Sequence, residues 1–195
     1  GTGSGNVILT EASTLLLGAT TIGGTFSATA TTGDITDSGN LTITGAATFI
    51  TGVDESNIVL DSSGNAFSNS VEMRADAGGE DFGNITFVDS AGIDFATSAG
   101  SNGDLFINGS TDGTVGGNLS VTATTGNITD TVAVVTTGSS TSSFTTSATN
   151  GTIDLSTPAS LAGAVTINTA GASGNATIDN GTTALIIAES SIGGN

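Results

Sequence analysis

The chain has 195 residues, among them 30 Gly and 18 acidic side chains against one basic residue, Arg74, giving a formal net charge of −17. It contains no Cys, His, Trp or Tyr, which excludes zinc, haem, blue-copper and iron–sulfur sites and both Ser-His-Asp and Cys-His catalysis. Lys is absent too, which removes P-loop and Schiff-base chemistry, and one Arg cannot neutralise a phosphate backbone, so nucleic acid is excluded as a partner.

Taken in chain order, short apolar pieces alternate with small polar corners. Gly5-Asn6 opens the first piece, and Leu15-Leu16-Leu17 forms a second. Ile22-Gly23-Gly24-Thr25 then leads into FSATATTGDITD, ending at Asp37. Gly39-Asn40 precedes Leu41-Thr42-Ile43-Thr44, and further Gly-Asn corners stand at Gly64 and Gly83. Gly103-Asp104 precedes Leu105-Phe106-Ile107, and Val115-Gly116-Gly117-Asn118 leads into LSVTATTGNITD, ending at Asp130. Gly126-Asn127 and Gly174-Asn175 continue the series, followed by Leu185-Ile186-Ile187 and Ile192-Gly193-Gly194-Asn195. Apolar and Thr/Ser residues alternate with period two inside the pieces, which predicts strands. Gly and Asn tolerate left-handed backbone, which is the expected reason for their place at corners.

The Gly-Gly openings divide the chain into the tail of one cassette (1–24), a long acidic cassette (25–117) and a shorter one (118–194). The composition argues for folding: 36% of residues are hydrophobic, mean hydropathy is +0.24, and only 10% are charged. No apolar run approaches the roughly 20 residues that cross a bilayer, so membrane insertion is not expected. A start at Gly1, without Met or a signal-like segment, reads as a processed product or a piece of a longer array.

Pieces this short cannot each form a core. Stacked at about 4.8 Å, successive coils would pair every backbone amide and bury the apolar positions as continuous ladders. The expectation is an all-β, right-handed parallel β-helix running through 1–195, with about 20 residues per coil and about nine or ten coils. A β-sandwich with hairpins is the alternative and explains the cassettes poorly.

Gly116–Asp130 (GGNLSVTATTGNITD) and its partner Gly23–Phe49 resemble the filamentous haemagglutinin-type repeats of giant bacterial adhesins, whose half-coils alternate in the same order. The resemblance implies a β-solenoid in an extended, secreted, surface-attached or filamentous bacterial protein, often exported through a partner outer-membrane pore. Residues 53–112 depart from the pattern, and strict coil register is not expected there.

Eleven of the 18 acids lie between residues 54 and 112, inside the long cassette: Asp54, Glu55, Asp61, Glu72, Asp76, Glu80, Asp81, Asp89, Asp94, Asp104 and Asp112. The densest group, Asp76, Glu80 and Asp81, is the candidate calcium site, since calcium takes several carboxylate and carbonyl oxygens. The competing reading is of solvated acids that oppose lateral aggregation. Arg74 is expected to pair with Glu72 or Asp76, and Asn corners to stack as side-chain ladders. Thr-x-Thr pairs at Thr29/Thr31, Thr42/Thr44 and Thr122/Thr124 fit ordinary outward strand positions better than an ice-binding face, and Asn-x-Ser/Thr sequons follow automatically from the corners.

The function expected is non-enzymatic: a segment of an extracellular or cell-surface fibre, stalk or sheath. Its partners would be copies of itself, stacked end to end, or neighbouring repeats of a longer chain. The alternative is an adhesin module in which residues 53–112 bulge from the rod and engage glycans or a surface, with or without calcium.

Overall fold

The computed structural model describes residues 4–53, 55–75, 83–96, 104–107 and 114–194, with backbone only at 104–107, 114 and 115. Three strands make each of the first turns. Turn one holds β1 (Val7–Glu11), β2 (Leu15–Leu17) and β3 (Thr20–Ile22). Turn two holds β4 (Phe26–Ala30), β5 (Ile35–Asp37) and β6 (Leu41–Ile43), and turn three holds β7 (Ala47–Thr51), β8 (Ile58–Leu60) and β9 (Ala66–Phe67). Next come β10 (Val71–Arg74), β11 (Ile85–Asp89), β12 (Ile93–Phe95), β13 (Asp104–Ile107) and β14 (Thr114–Val115). The remainder is β15 (Leu119–Ala123), β16 (Ile128–Asp130), β17 (Val135–Thr136), β18 (Ser142–Thr149), β19 (Ile153–Leu155), β20 (Ser160–Leu161), β21 (Ala164–Ala170), β22 (Ala176–Ile178) and β23 (Ile186–Ile187).

The strands stack in parallel as an all-β solenoid without helix among the described residues. Two sheets run its length: a nine-stranded one, β1-β4-β7-β10-β13-β12-β16-β19-β22, and an eight-stranded one, β2-β5-β8-β11-β15-β18-β21-β23. Two three-stranded sheets, β3-β6-β9 and β14-β17-β20, flank them. The turn count is smaller than the sequence suggested, about 7 turns with equivalent residues about 23 apart. Corners of variable length explain the difference. Residues bonded across adjacent turns are 19 apart at Asn6 and Thr25, 27 at Asn57 and Asn84, and 34 at Asn84 and Asn118. Lengthening a surface corner costs little free energy, so the stack absorbs it.

Period-two alternation survives intact. In β4, β7, β11 and β15 the residues alternate buried and half-buried from the first position. The inward column of the eight-stranded sheet runs Leu15, Ile35, Ile58, Ile85, Leu119, Ser142, Val165 and Ile187. In the nine-stranded sheet large and small residues interleave, Phe26 over Ala47 and Ala28 over Phe49, so the side chains of adjacent turns interdigitate there. Aromatic rings continue the core: Phe26–Phe49 at 5.6 Å, Phe49–Phe67 at 6.1 Å, Phe67–Phe87 at 5.2 Å and Phe95–Phe144 at 6.0 Å between centroids.

The stack changes character midway. In the first turns the flanking sheet β3-β6-β9 lies where the chain passes from the eight- to the nine-stranded sheet. From β14 onward the flanking strand lies on the return path, from the nine- to the eight-stranded sheet. At the changeover β13 is inserted out of order between β10 and β12, with Leu105 facing Val71 on one side and Phe95 on the other. The expectation of broken register within 53–112 is met here.

The corner glycines have another cause than the one expected. Left-handed backbone occurs among described glycines only at Gly138, Gly171 and Gly181, none of which opens a Gly-Asn or Gly-Asp corner. A Cβ on Gly45 would collide with the Gly24 carbonyl one turn below, and one on Gly117 with the Gly83 carbonyl. Glycine is needed there because successive backbones approach too closely for any side chain.

Candidate functional site

The candidate calcium residues Asp76, Glu80 and Asp81, with Asp54 and Asp112, lie outside the described residues. Among the described residues no group of three or more acidic side chains is placed to hold a metal ion. What the fold assembles instead is a set of corner carboxamides and carboxylates that bind one turn to the next.

The clearest is a ladder at the entry to the eight-stranded sheet. Asn57 donates its backbone N–H to Asp34 Oδ1 at 2.7 Å. Asn84 donates its backbone N–H to Asn57 Oδ1, Asn118 to Asn84 Oδ1 and Thr141 to Asn118 Oδ1, each at 2.8 Å. The expected Asn ladder is therefore real, and Asp34 and Thr141 extend it. Asn6 accepts from Thr25 and Asn127 from Thr152 in the same way at the opposite corner. Each such bond satisfies a corner amide that has no strand partner.

A second device sits at strand ends. Asp37 closes β5 and takes the backbone N–H groups of Asp61 and Ser62 and the Asn65 side-chain amide from the turn above. Asp130, its counterpart at the end of β16, takes the Thr157 N–H at 3.2 Å. Its Oδ2 is buried without a hydrogen-bond partner. Burial outweighs the Thr157 bonds and raises the Asp130 pKa.

Asp89 goes furthest. It ends β11 at 1% exposure, inside the wall and not in solvent. Its Oδ1 accepts the backbone N–H groups of Phe67 at 3.3 Å and Ala91 at 3.2 Å. Phe67 belongs to β9, the last strand of the first flanking sheet. The carboxylate thus takes the place of the strand that would have continued that sheet. Loss of hydration lifts its pKa from 3.8 to about 6, only partly offset by the backbone bonds. The reading of the long-cassette acids as solvated fails at Asp89.

A period-two phase test would have found these groups. Asp37, Asp89 and Asp130 fall on the inward phase of Ile35, Ile85-Phe87 and Ile128 respectively.

Other sequence candidates are ordinary. Arg74 pairs with Glu72 at 3.1 Å, as expected, both partly exposed. Asp94 accepts from the Thr129 hydroxyl at 2.9 Å. Glu55 adopts left-handed backbone at a corner, with φ 60°. Thr29, Thr42 and Thr122 lie on three different sheets, so they do not form one flat Thr array. The described part of 53–112 supplies strands to the stack and buries Ile58, Leu60, Phe67 and Phe87, so that part is wall and not an appendage.

No curated protein and no solved structure matches the chain. Residues 4–74 match a family described as repeats of unknown function (DUF5649), the stretch of the first turns that ends at β10, just before the flanking sheet changes side.

Proposed function

We propose that this chain is a non-enzymatic structural segment of a long bacterial β-solenoid at the cell surface or outside the cell, in which turns stack end to end into a fibre, stalk or sheath. One observation carries the reading. Of the exposed large hydrophobics among the described residues, all but Val53 belong to the first or last described turn: Ile8, Leu9 and Leu16 at one end, Leu185, Ile186, Ile187 and Ile192 at the other. Flat apolar strand edges at both ends, with corner ladders binding turn to turn between them, suit a module that continues axially. The unopposed negative charge keeps such rods apart laterally.

Electron microscopy of the purified chain at rising concentration tests this. Filaments of constant width are expected, and isolated globules at every concentration would refute the self-association. The glycan-binding alternative, with or without calcium, gains no support from the described part of 53–112.

A further inference from the structure

We infer that Asp89 is a pH-operated latch on the first flanking sheet. Protonated, its side chain seals the edge of β9 from inside the wall; ionised, it swings out to water and opens the corner after β11. The device is local and does not rest on the fibre reading.

Its basis is that the fold seals both flanking sheets in the same way but with different chemistry. Over β20 the seal is Asn180, itself buried. Its Oδ1 accepts the Leu161 N–H at 2.7 Å, and its Nδ2 donates to the Leu161 carbonyl at 3.2 Å and the Thr183 carbonyl at 3.1 Å. The carboxamide thus pairs with both backbone groups of Leu161, as a further strand would. Over β9 the equivalent seat is taken by Asp89, which accepts the Phe67 N–H. The corner behind it is tied to the turn below by Ser90, whose N–H donates to the Asn65 carbonyl at 2.7 Å. A carboxamide is neutral at every pH, whereas a carboxylate gives up its hydration to occupy a buried seat. Ser90 and Ala91 are only half-buried, so a small movement of that corner brings the charge to water. Opening bares the Phe67 N–H on the edge of β9.

The surroundings do not compensate the charge. β9 and β15, which lie against Asp89, carry no titratable side chain. On the side of β8, Asp61 is exposed, and Asp37 holds the Asp61 and Ser62 N–H groups and the Asn65 side-chain amide. Asp94 of β12 accepts from the Thr129 hydroxyl. The one cation, Arg74, pairs with Glu72 on the nine-stranded sheet. The titratable neighbours among the described residues are therefore all acids, which disfavour a further negative charge. The pKa of about 6 noted above puts the crossing point in mild acid.

Hydrogen exchange followed by NMR tests this, read as protection factors so that the intrinsic pH dependence cancels. From pH 5 to 7 the protection of the Phe67 and Ala91 amides should fall about tenfold, as a carboxyl with a pKa of about 6 when closed and 3.8 when open requires. At pH 7 both should lie at least about tenfold below Ile58 and Ile85, whose N–H groups bond to the Asn84 and Asn118 carbonyls, because the corner opens without the wall. Asp89→Asn should abolish the pH dependence at Phe67 and Ala91. Asn180→Asp should confer one of the same direction on the Leu161 amide, which is flat in the parent. Flat protection at Phe67 and Ala91 in the parent, or a pH dependence that persists in Asp89→Asn, overturns the latch. So does equal protection at Phe67, Ala91, Ile58 and Ile85, since the opening would then be global unfolding. A Leu161 amide that stays flat in Asn180→Asp overturns the equivalence of the two seals on which the inference stands.

Discussion

Phe26–Asp37 and Leu119–Asp130 differ at only three of their positions, Phe26/Leu119, Ala28/Val121 and Asp34/Asn127. Each forms a five-residue strand with alternate residues buried, a tight corner and a three-residue strand ending in Asp. Yet they occupy exchanged sheets. The five-residue strand lies in the nine-stranded sheet in the first segment and in the eight-stranded sheet in the second. The local unit is thus intrinsic to the sequence, while its place in the wall is not. Both sheets offer the same core, and the choice falls to the turns beneath.

The two halves also differ in how they are filled. Phe49 contacts rings on both sides, Phe26 and Phe67, whereas Phe144 contacts only Phe95 among the described rings. The largest expected effect is therefore Phe49→Ala, with a loss near the upper end of about 3–5 kcal/mol, and Phe144→Ala nearer the lower end. Urea denaturation followed by circular dichroism measures both. Equal losses would mean that the halves are packed alike.

Asp89 marks the changeover, and its titration tests whether the carboxylate replaces a strand there. Its folded pKa of about 6 lies above the ordinary 3.8, so the folded chain holds this proton more tightly than the unfolded one. The group's contribution therefore favours folding most below about pH 4 and worsens as pH rises to about 6, by about 3 kcal/mol in total, then stays level. Asp89→Asn should remove that slope. Stability curves of the two proteins from pH 4 to 7 that run parallel would contradict the buried, charged Asp89.

Corner packing comes next. Gly45→Ala and Gly117→Ala, one in each half, should each cost about 1–3 kcal/mol through collision with the turn below. Gly18→Ala, where a Cβ meets nothing within 4 Å, should stay within about 0.5 kcal/mol of the parent. A similar loss at all three in thermal melts would point to backbone entropy instead of close approach.

The smallest effect sharpens the second half. Ser142 interrupts the apolar column between Leu119 and Val165, and its hydroxyl is buried without a partner. Ser142→Val should stabilise by about 1 kcal/mol, read as a raised denaturation midpoint. A loss would show that the site has no room for the extra methyl groups.

Much of this wall was legible beforehand. Alternation in Leu119-Ser120-Val121-Thr122-Ala123 assigned inward and outward faces correctly, and Gly83-Asn84 and Gly117-Asn118 marked corners whose amides do form a ladder. Asp37, Asp89 and Asp130 were legible in principle, since each continues its strand's inward phase. Weighing acids by density along the chain drew attention to Asp76, Glu80 and Asp81 instead.

By itself, then, the sequence determined the strand-and-corner units, their apolar phase and their inability to fold singly, because steric preference and alternation act over a few residues. The tertiary structure alone decided the number of turns, the exchange of sheets between equivalent segments, the insertion of β13 between β10 and β12, and the burial of Asp89. Those features depend on hydrogen bonds between residues 19 to 36 positions apart, across corners whose length the chain can vary at little cost.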